Sequence, residues 1–366
     1  MKFSVAKDII LDELQLLQGI VEKRNTMPIL ANILVQASGD RVEMTGTDLE
    51  VGLKTYFSAN VEEPGSVTVS GKKIFEIVKS LGDQETIIFE ENEDLMMEIS
   101  SGRSQFKVLC LPKEDFPQVP EGRFEKKINL PADVFREMID RVYFAIAQEQ
   151  RYYLNGALMI LKDKTMELVS TDGHRLSYAS ASVENLEMGE EVRVIVAKKS
   201  LGELRKMTNE GVEFDSDDNN LFFRVGKRML ISRIIESKFP NFEAVIPQDN
   251  PHVLQVGKEE FTQAIRRVSL LSTERSRGIK FSIGKGNLKL FSSNPEIGEA
   301  RDDLEVDYKG ADFEIGFNSQ YLLDFLLSVS SERIRLELKD ENSAAVMRPE
   351  LDEAIKYTYV IMPMKI

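Results

Sequence analysis

The 366-residue sequence has one cysteine and two histidines, and its basic residues are outnumbered, 47 Lys and Arg against 61 Asp and Glu. Cys110 has no second thiol to pair with inside the chain, which suits a reducing cytoplasm. In the apolar run FKVLCLP it reads as core filler rather than a nucleophile, since free cysteine is commonly buried. No uninterrupted apolar run approaches the roughly 18 residues of a membrane span, and the opening MKFSVAKDIILDELQ becomes charged too early for a secretory signal. The expected location is cytoplasmic, with no membrane partner. No Gly-x-Ser-x-Gly elbow, no His or Cys pair at metal-ligand spacing and no phosphate-cradling glycine loop occurs, so neither a metal nor a cofactor is expected. A formal charge of −14 argues against a protein that coats nucleic acid, because such affinity comes from Lys and Arg at phosphates.

What the chain does contain is a repeat. The segments VEMTGTDLEVGLKTYF at 42–57, MELVSTDGHRLSYASA at 166–181 and LKLFSSNPEIGEARDD at 288–303 share one plan. Each has an apolar alternation, a small polar pair, a turn and a second extended stretch. The polar pairs, Thr47-Asp48, Thr171-Asp172 and Ser293-Asn294, stand 124 and 122 residues apart. Upstream, TMPILANILVQA, YYLNGALMILKD and SRGIKFSIGKG correspond, each preceded by a stretch with helical spacing. In the second copy the stripe is Phe135, Met138, Ile139, Val142 and Ile146; in the third it is Phe261, Ala264, Ile265, Val268 and Leu270 or Leu271. A second helix recurs in VTVSGKKIFEIVKSLG, VIVAKKSLGELRKMTN and EIGFNSQYLLDFLLSV, with Lys72, Lys198 and Ser319 as the expected equivalents. Hairpins with acidic turns follow, and DFPQVP and KFPNFEAVIP close the first two copies as linkers. The expected fold class is α+β, in three domains near 1–125, 126–249 and 250–366, each with two helices packed on antiparallel sheets.

One of the two histidines lies in TDGHRL at 171–176, two positions after Asp172. A hydrolase using Asp172 and His174 would need a further partner and a cleft. His174 falls on Glu50 in the first copy and on Glu296 or Ile297 in the third, so the position belongs to a turn common to all copies. The second histidine, His252, lies in a Pro-flanked linker and reads as a surface residue. A recognition role suits TDGHRL better. With YYLNG on a neighbouring strand it gathers Tyr153, Leu154, Thr171, Arg175 and Leu176, apolar surface with a few polar anchors, as in a peptide site.

The charge is uneven along the chain. Hairpin turns are acidic (EENED, EFDSDD, KDEN), while several helices carry basic polar faces: Lys72, Lys73 and Lys79; Lys198, Lys199, Arg205 and Lys206; Arg266 and Arg267. Lys23 and Arg24 follow the first helix. Three copies arranged as a ring with helices on one side would pool these faces into a positive channel. Attraction to a DNA backbone is independent of sequence and permits sliding.

The runs MKFSV, PILANILV with TGTDLE, RYYLNG, TDGHRLS, FPNFEAVIP, GFNSQYLLD and the terminal YVIMPMKI resemble the bacterial DNA polymerase III beta sliding clamp family over essentially the whole chain. The resemblance implies three DNA-clamp domains per chain. It also implies that two chains join head to tail into a homodimeric ring, helices lining the hole and sheets outside. It implies no catalytic step. Such a ring is a processivity factor that encircles duplex DNA and tethers the replicative polymerase through its DNA polymerase III alpha subunit, the clamp loader and other clamp-motif proteins.

Carried over by position, the partner-peptide pocket would comprise Arg151, Tyr153, Leu154, Thr171, Gly173, His174, Arg175 and Leu176. Pro240 and Val245 extend it from the linker, Asn318 and Tyr321 from the third copy, and Val360, Met362, Pro363 and Met364 from the tail. DNA-facing candidates are Arg24, Lys72, Lys73, Gln148, Lys198 and Lys199. The dimer joint would bring Phe106 and Val108 of one chain against Leu270 and Leu271 of the other, with Arg103 near Glu296, Glu299 or Asp302. The sequence departs from the family pattern at Glu243-Ala244-Val245, where relatives often carry a basic residue, and no residue of 343–350 is assigned to the pocket. A peptide-binding scaffold with no DNA role is the alternative; it leaves the recurring basic helices unexplained.

Overall fold

The computed structural model describes residues 1–21, 27–83, 86–92, 94–148, 152–184, 186, 190–207, 210–273, 277–351 and 354–366. Among them are the helices α1 (Lys7–Ile20), α2 (Gly71–Ser80), α3 (Ala132–Val142), α4 (Lys198–Met207), α5 (Lys258–Ser269) and α6 (Ser319–Ser328). All of the strand pairs between them are antiparallel. The chain gathers into two compact units, one of residues 1–133 with 199–234 and one of 134–198 with 235–366.

In the first unit, Ile10, Leu14, Leu17 and Ile20 form one apolar stripe of α1, and all four are fully buried. Ser70 caps α2, which turns Ile74 and Val78 inward and Lys72, Lys73 and Lys79 outward. These helices pack on a thirteen-stranded sheet. Within it Val51–Ser58 pairs with Arg228–Arg233, far away in sequence. The Ser104–Leu111 strand reaches Gly65–Ser70 only through Cys110 and Leu111, so its earlier residues form an edge on that side.

In the second unit, the expected stripes of α3 (Phe135, Met138, Ile139, Val142) and α5 (Phe261, Ala264, Ile265, Val268) are fully buried, and Ile146 nearly so. Leu270 does not extend the α5 stripe: the helix ends at Ser269, and Leu270 is 77% exposed. An eight-stranded sheet joins Arg175–Ser182 to Ile355–Ile361. A four-stranded sheet has Gly298–Glu305 as one of its edges.

Strand registers align the copies. Asn32 faces Ser70, Gly156 faces Ala197 and Gly278 faces Asn318, so the second helix of each copy begins at Gly71, Lys198 and Ser319. This corrects the expected equivalence of Lys72 with Lys198 by one residue; Lys72 corresponds to Lys199.

Glu13 on α1 has no exposed side-chain surface. Its carboxylate accepts hydrogen bonds from Arg228 Nε (2.9 Å) and Nη2 (2.8 Å) and from Thr55 Oγ1 (2.6 Å), and Lys227 Nζ lies at 2.8 Å. Burial pushes its pKa up, but the bonds from Arg228, Lys227 and Thr55 outweigh this and hold it below the ordinary carboxylate value.

Replacing Glu13 by Ala is expected to cost about 3–5 kcal/mol in urea unfolding, because the arginine and lysine lose their buried counter-charge. A depressed carboxylate contributes fully above its unfolded value, about pH 4.3, and loses that contribution as pH falls through its folded value. The stability gap between wild type and Glu13→Gln should therefore be wide at neutral pH and narrow in acid. Cys110 is buried, and burial pushes its thiol up to about 11. A disulfide reagent at neutral pH should leave the native thiol unlabelled and label it once the chain is unfolded.

Candidate peptide pocket and nucleic-acid face

The 171–175 turn is built by its own side chains. Thr171 Oγ1 donates to Arg175 O (2.6 Å) and accepts from Gly173 N (3.1 Å). Asp172 Oδ1 accepts from the backbone N–H groups of His174 (2.9 Å) and Arg175 (3.1 Å). Gly173 sits at φ 91°, a left-handed position that favours glycine. Asp172 therefore holds the backbone of His174, and its second oxygen accepts from Arg175 Nε at 3.0 Å. With both oxygens committed and His174 exposed, the pair does not form a base-orienting dyad.

Arg175 has further partners beyond the turn. Its guanidinium also donates to Asp324 Oδ2 (2.5 Å) and to the Phe144 carbonyl (2.6 Å), and lies 4.3 Å from the Tyr321 ring centroid. Burial by itself lowers the pKa of Arg175; Tyr359, Asp324 and Asp172 outweigh it, so the pKa is raised and the charge is permanent. Two carboxylates already neutralise this cation. It anchors walls rather than waiting for an anion.

On the other face of the same strand lies an apolar cluster, since Leu176 follows Arg175 and successive side chains alternate. Leu154, Leu176 and Val360 are buried in one cluster with Leu158, Ile195 and Phe242, and Tyr153 and Ile246 pack on it half-buried. The strand pairing that sets Leu176 opposite Val360 brings the second and third copies together here. Val245 (47%), Met362 (43%) and Pro240 are exposed. Asn318 caps α6 by accepting from Gln320 N at 2.9 Å, and Tyr321 follows it on that helix.

The tail is bound at two points. Met362 N donates to His174 O (2.9 Å) and Met364 N to Gly316 O (2.8 Å), with Pro363 between. A Cβ on Gly316 would meet the Met364 carbonyl oxygen at 2.4 Å, so the tail lies flush on the Phe313–Asn318 strand. The same crossing occurs in the first copy, where Leu111 faces Thr68. Val360 and Ile361 thus end the repeat's last strand, Ile355–Ile361, and Met362 to Met364 continue its path to Gly316. Arg151 lies outside the described residues.

Sequence reasoning missed Phe144 and Asp324, the partners of Arg175, and Phe242. Asp324 had a signal: it is the only charged residue of α6, Ser319–Ser328. It also missed Ala344, which packs against the apolar cluster from the stretch left unassigned.

The DNA-facing candidates divide. Lys198 Nζ donates to Ile146 O (2.9 Å) and lies 5.4 Å from the Tyr143 ring; burial, then the charge of Arg175, lowers its pKa. Lys199 Nζ donates to Ile20 O (2.7 Å) and pairs with Asp48. Both lysines thus bond protein acceptors as well. Lys72 and Lys73 are well exposed and flank Glu76 at 3.6 and 3.2 Å. Gln148 is exposed, and Arg24 lies outside the described residues.

At the expected joint, Phe106, Val108 and Leu271 are half-buried, and Arg103, Glu296 and Glu299 are exposed. Asp302 is already held by Arg267 at 2.7 Å. Leu109 (68% exposed) and Ile297 (58%) are apolar residues of the same edges that sequence reasoning did not single out.

Comparison with known proteins accounts for the whole chain. The N-terminal, central and C-terminal domains of the DNA polymerase III beta subunit match residues 1–120, 129–241 and 243–365. The beta sliding clamps of Pseudomonas putida and Escherichia coli K12 are 37% and 33% identical, each alignment covering all of both chains. The crystal structure of the DNA polymerase III subunit beta from Pseudomonas aeruginosa superposes with a TM-score of 0.93 at 34% identity, again over all of both chains. Three α+β clamp domains of two helices each, and a pocket without a catalytic dyad, agree with these matches: the chain belongs to the DNA polymerase III beta subunit family, the sliding clamps that serve as non-catalytic processivity subunits.

Proposed function

We propose that two copies of this chain close head to tail around duplex DNA, and that the polymerase and other replication proteins dock a short apolar peptide in the pocket around Leu154, Leu176 and Val360. The observation that carries the docking role is the apolar cluster of Leu154, Leu176 and Val360, with partly buried Tyr153 and Ile246 packed on it. A site of that kind favours a ligand with apolar anchors and a few backbone hydrogen bonds. Half-exposed Met362 and half-buried Met364 supply adaptable surface for more than one partner. The partners we infer are the DNA polymerase III alpha subunit, the clamp loader and other proteins carrying a clamp motif. Tethering turns a bimolecular encounter into a local one at high effective concentration.

The unpaired edges at Ser104–Leu111 and Gly298–Glu305 support head-to-tail closure. Domain limits of 1–125, 126–249 and 250–366 go with this reading. For DNA the candidates are Lys72, Lys73, Gln148, Lys198 and Lys199 with Arg24, and sharing Glu76 weakens the attraction of Lys72 and Lys73 for phosphate. Retention would then depend on topology more than on charge. A cytoplasmic location is supported by the lone buried thiol. Among the described residues no helix is long and apolar enough to cross a membrane.

After loading on nicked circular DNA, the protein should stay bound at high salt and be released when the circle is linearised. Salt-sensitive release from both forms, with loading shown independently, would refute encirclement. Leu176→Ala and Met364→Ala should each weaken a fluorescent polymerase-derived peptide by about tenfold or more while circular dichroism stays native. Unchanged affinity in both variants would refute the pocket.

A further inference from the structure

We propose that the sheet face holding Leu176 and Val360 carries a second, charge-reading site around Arg348 and Lys356, which takes an acidic stretch flanking the docked peptide on the same partner polypeptide. This rests on the docking reading above and adds to it the chemistry of the flanking residues.

Strand register defines the face. Leu176, Tyr178 and Ser180 alternate along one side of Arg175–Ser182, and they face Val360, Thr358 and Lys356 in turn. On the next strand Val346 faces Val360, so Arg348 falls in the row of Thr358 and Tyr178, and it donates to Thr358 Oγ1. The face therefore changes character along its length. It begins as the apolar cluster around Leu176 and Val360, passes Tyr178, whose ring stacks on Phe242 with centroids 5.6 Å apart, and ends in cations. There a cavity of about 350 Å³ is lined by Arg348 and Lys356, by the hydroxyl-bearing Tyr178, Ser180 and Thr358, and by Leu351, which is 73% exposed.

The positive charge at this end is not cancelled. Arg348 Nε (3.3 Å) and Arg335 Nε (2.9 Å) share one oxygen of Glu337, so two cations have a single counter-charge. Lys356 is exposed and has no ion pair among the described residues. The other acids of the face are taken, Glu167 by Lys162 at 2.8 Å and Glu350 by Arg333 at 3.0 Å. Asp352 and Glu353 lie outside the described residues. One arginine and Lys356 are left in surplus, in a chain whose net charge is −14. Arg175, on the opposite face, already has two carboxylates.

Peptide carboxylates suit this site better than the phosphates of a nucleic acid. Nucleic-acid affinity is built from many phosphate contacts, and two surplus cations on an acidic chain supply too few. The apolar cluster on the same face and Leu351 beside the cations suit a polypeptide. Leu176 and Ser180 stand about 13 Å apart along their strand, a span of about four extended residues. Acids about that far from the apolar anchor would reach Lys356.

Fluorescence anisotropy with the full-length chain provides the test. The probes are an apolar docking peptide alone and the same peptide with an aspartate-rich or a serine-rich extension at either end. At low salt one aspartate-rich form should bind about fivefold more tightly than its serine-rich twin, and the gain should fade at high salt. Lys356→Glu and Arg348→Gln should each remove the gain while the unextended peptide binds within about twofold of wild type. Lys356 is exposed, so its variant reads the site even where loss of Arg348 disturbs Glu337. No gain at either end, or a gain that persists in both variants, would overturn the second site. An unextended peptide that fails to bind wild type would overturn the docking reading itself. Single-stranded DNA that displaces the aspartate-rich extension, and no longer does so with Lys356→Glu, would overturn a peptide as the occupant.

Discussion

A strand edge is a row of unpaired N–H and C=O groups, and an exposed one invites any other chain to add to it. This chain uses that demand as its means of assembly. The last strand of a copy does not close its own sheet; Arg228–Arg233 adds to Val51–Ser58, and Ile355–Ile361 adds to Arg175–Ser182. The joints are therefore continuous backbone ladders, strong and directional, rather than patches of surface pressed together. One such ladder places Leu176 beside Val360 and so builds the apolar cluster around them.

Each of these joints carries a buried charge from the helix beneath it. In the first, Glu13 of α1 binds Arg228. In the second, fully buried Arg141 of α3 donates to Ile355 O at 2.9 Å and lies 5.2 Å from the Tyr357 ring. Arg228 and Tyr357 hold equivalent places on their strands, so two different chemistries fill one role. A buried charge is stabilising only when its partner is in place, which makes such contacts better at enforcing one register than at adding net stability.

The same turn appears before each joint, and it explains the histidine. Thr47 and Asp48 bond the backbone of Leu49, Glu50 and Val51 as Thr171 and Asp172 bond that of Gly173, His174 and Arg175. The left-handed position is Leu49 at φ 78° in one copy and Gly173 at φ 91° in the other. In the third copy Asn294 accepts from Glu296 N. Asp172 is where it is because the turn needs an acceptor two residues before position 174. His174 occupies a site that glutamate fills elsewhere.

The repeat, the buried stripes of α3 and α5, and the grouping of Tyr153, Leu154 and Leu176 were legible in the sequence, because periodicity and turn chemistry act between residues a few positions apart, whereas Val360 came only from the family resemblance. What could not be read were the partners of charge. Lys198 and Lys199 look like any exposed basic pair, yet one is bound to Ile146 O and the other to Asp48, 151 residues away. Phe144 gave no hint that it would hold Arg175, and Asp324, although the only charged residue of α6, did not reveal which cation it would meet. By itself the sequence determined the three-fold plan and the elements of each copy. The tertiary structure alone decided which cations stay free and which edges stay open, since both depend on groups that only distant strand pairing brings within hydrogen-bond reach.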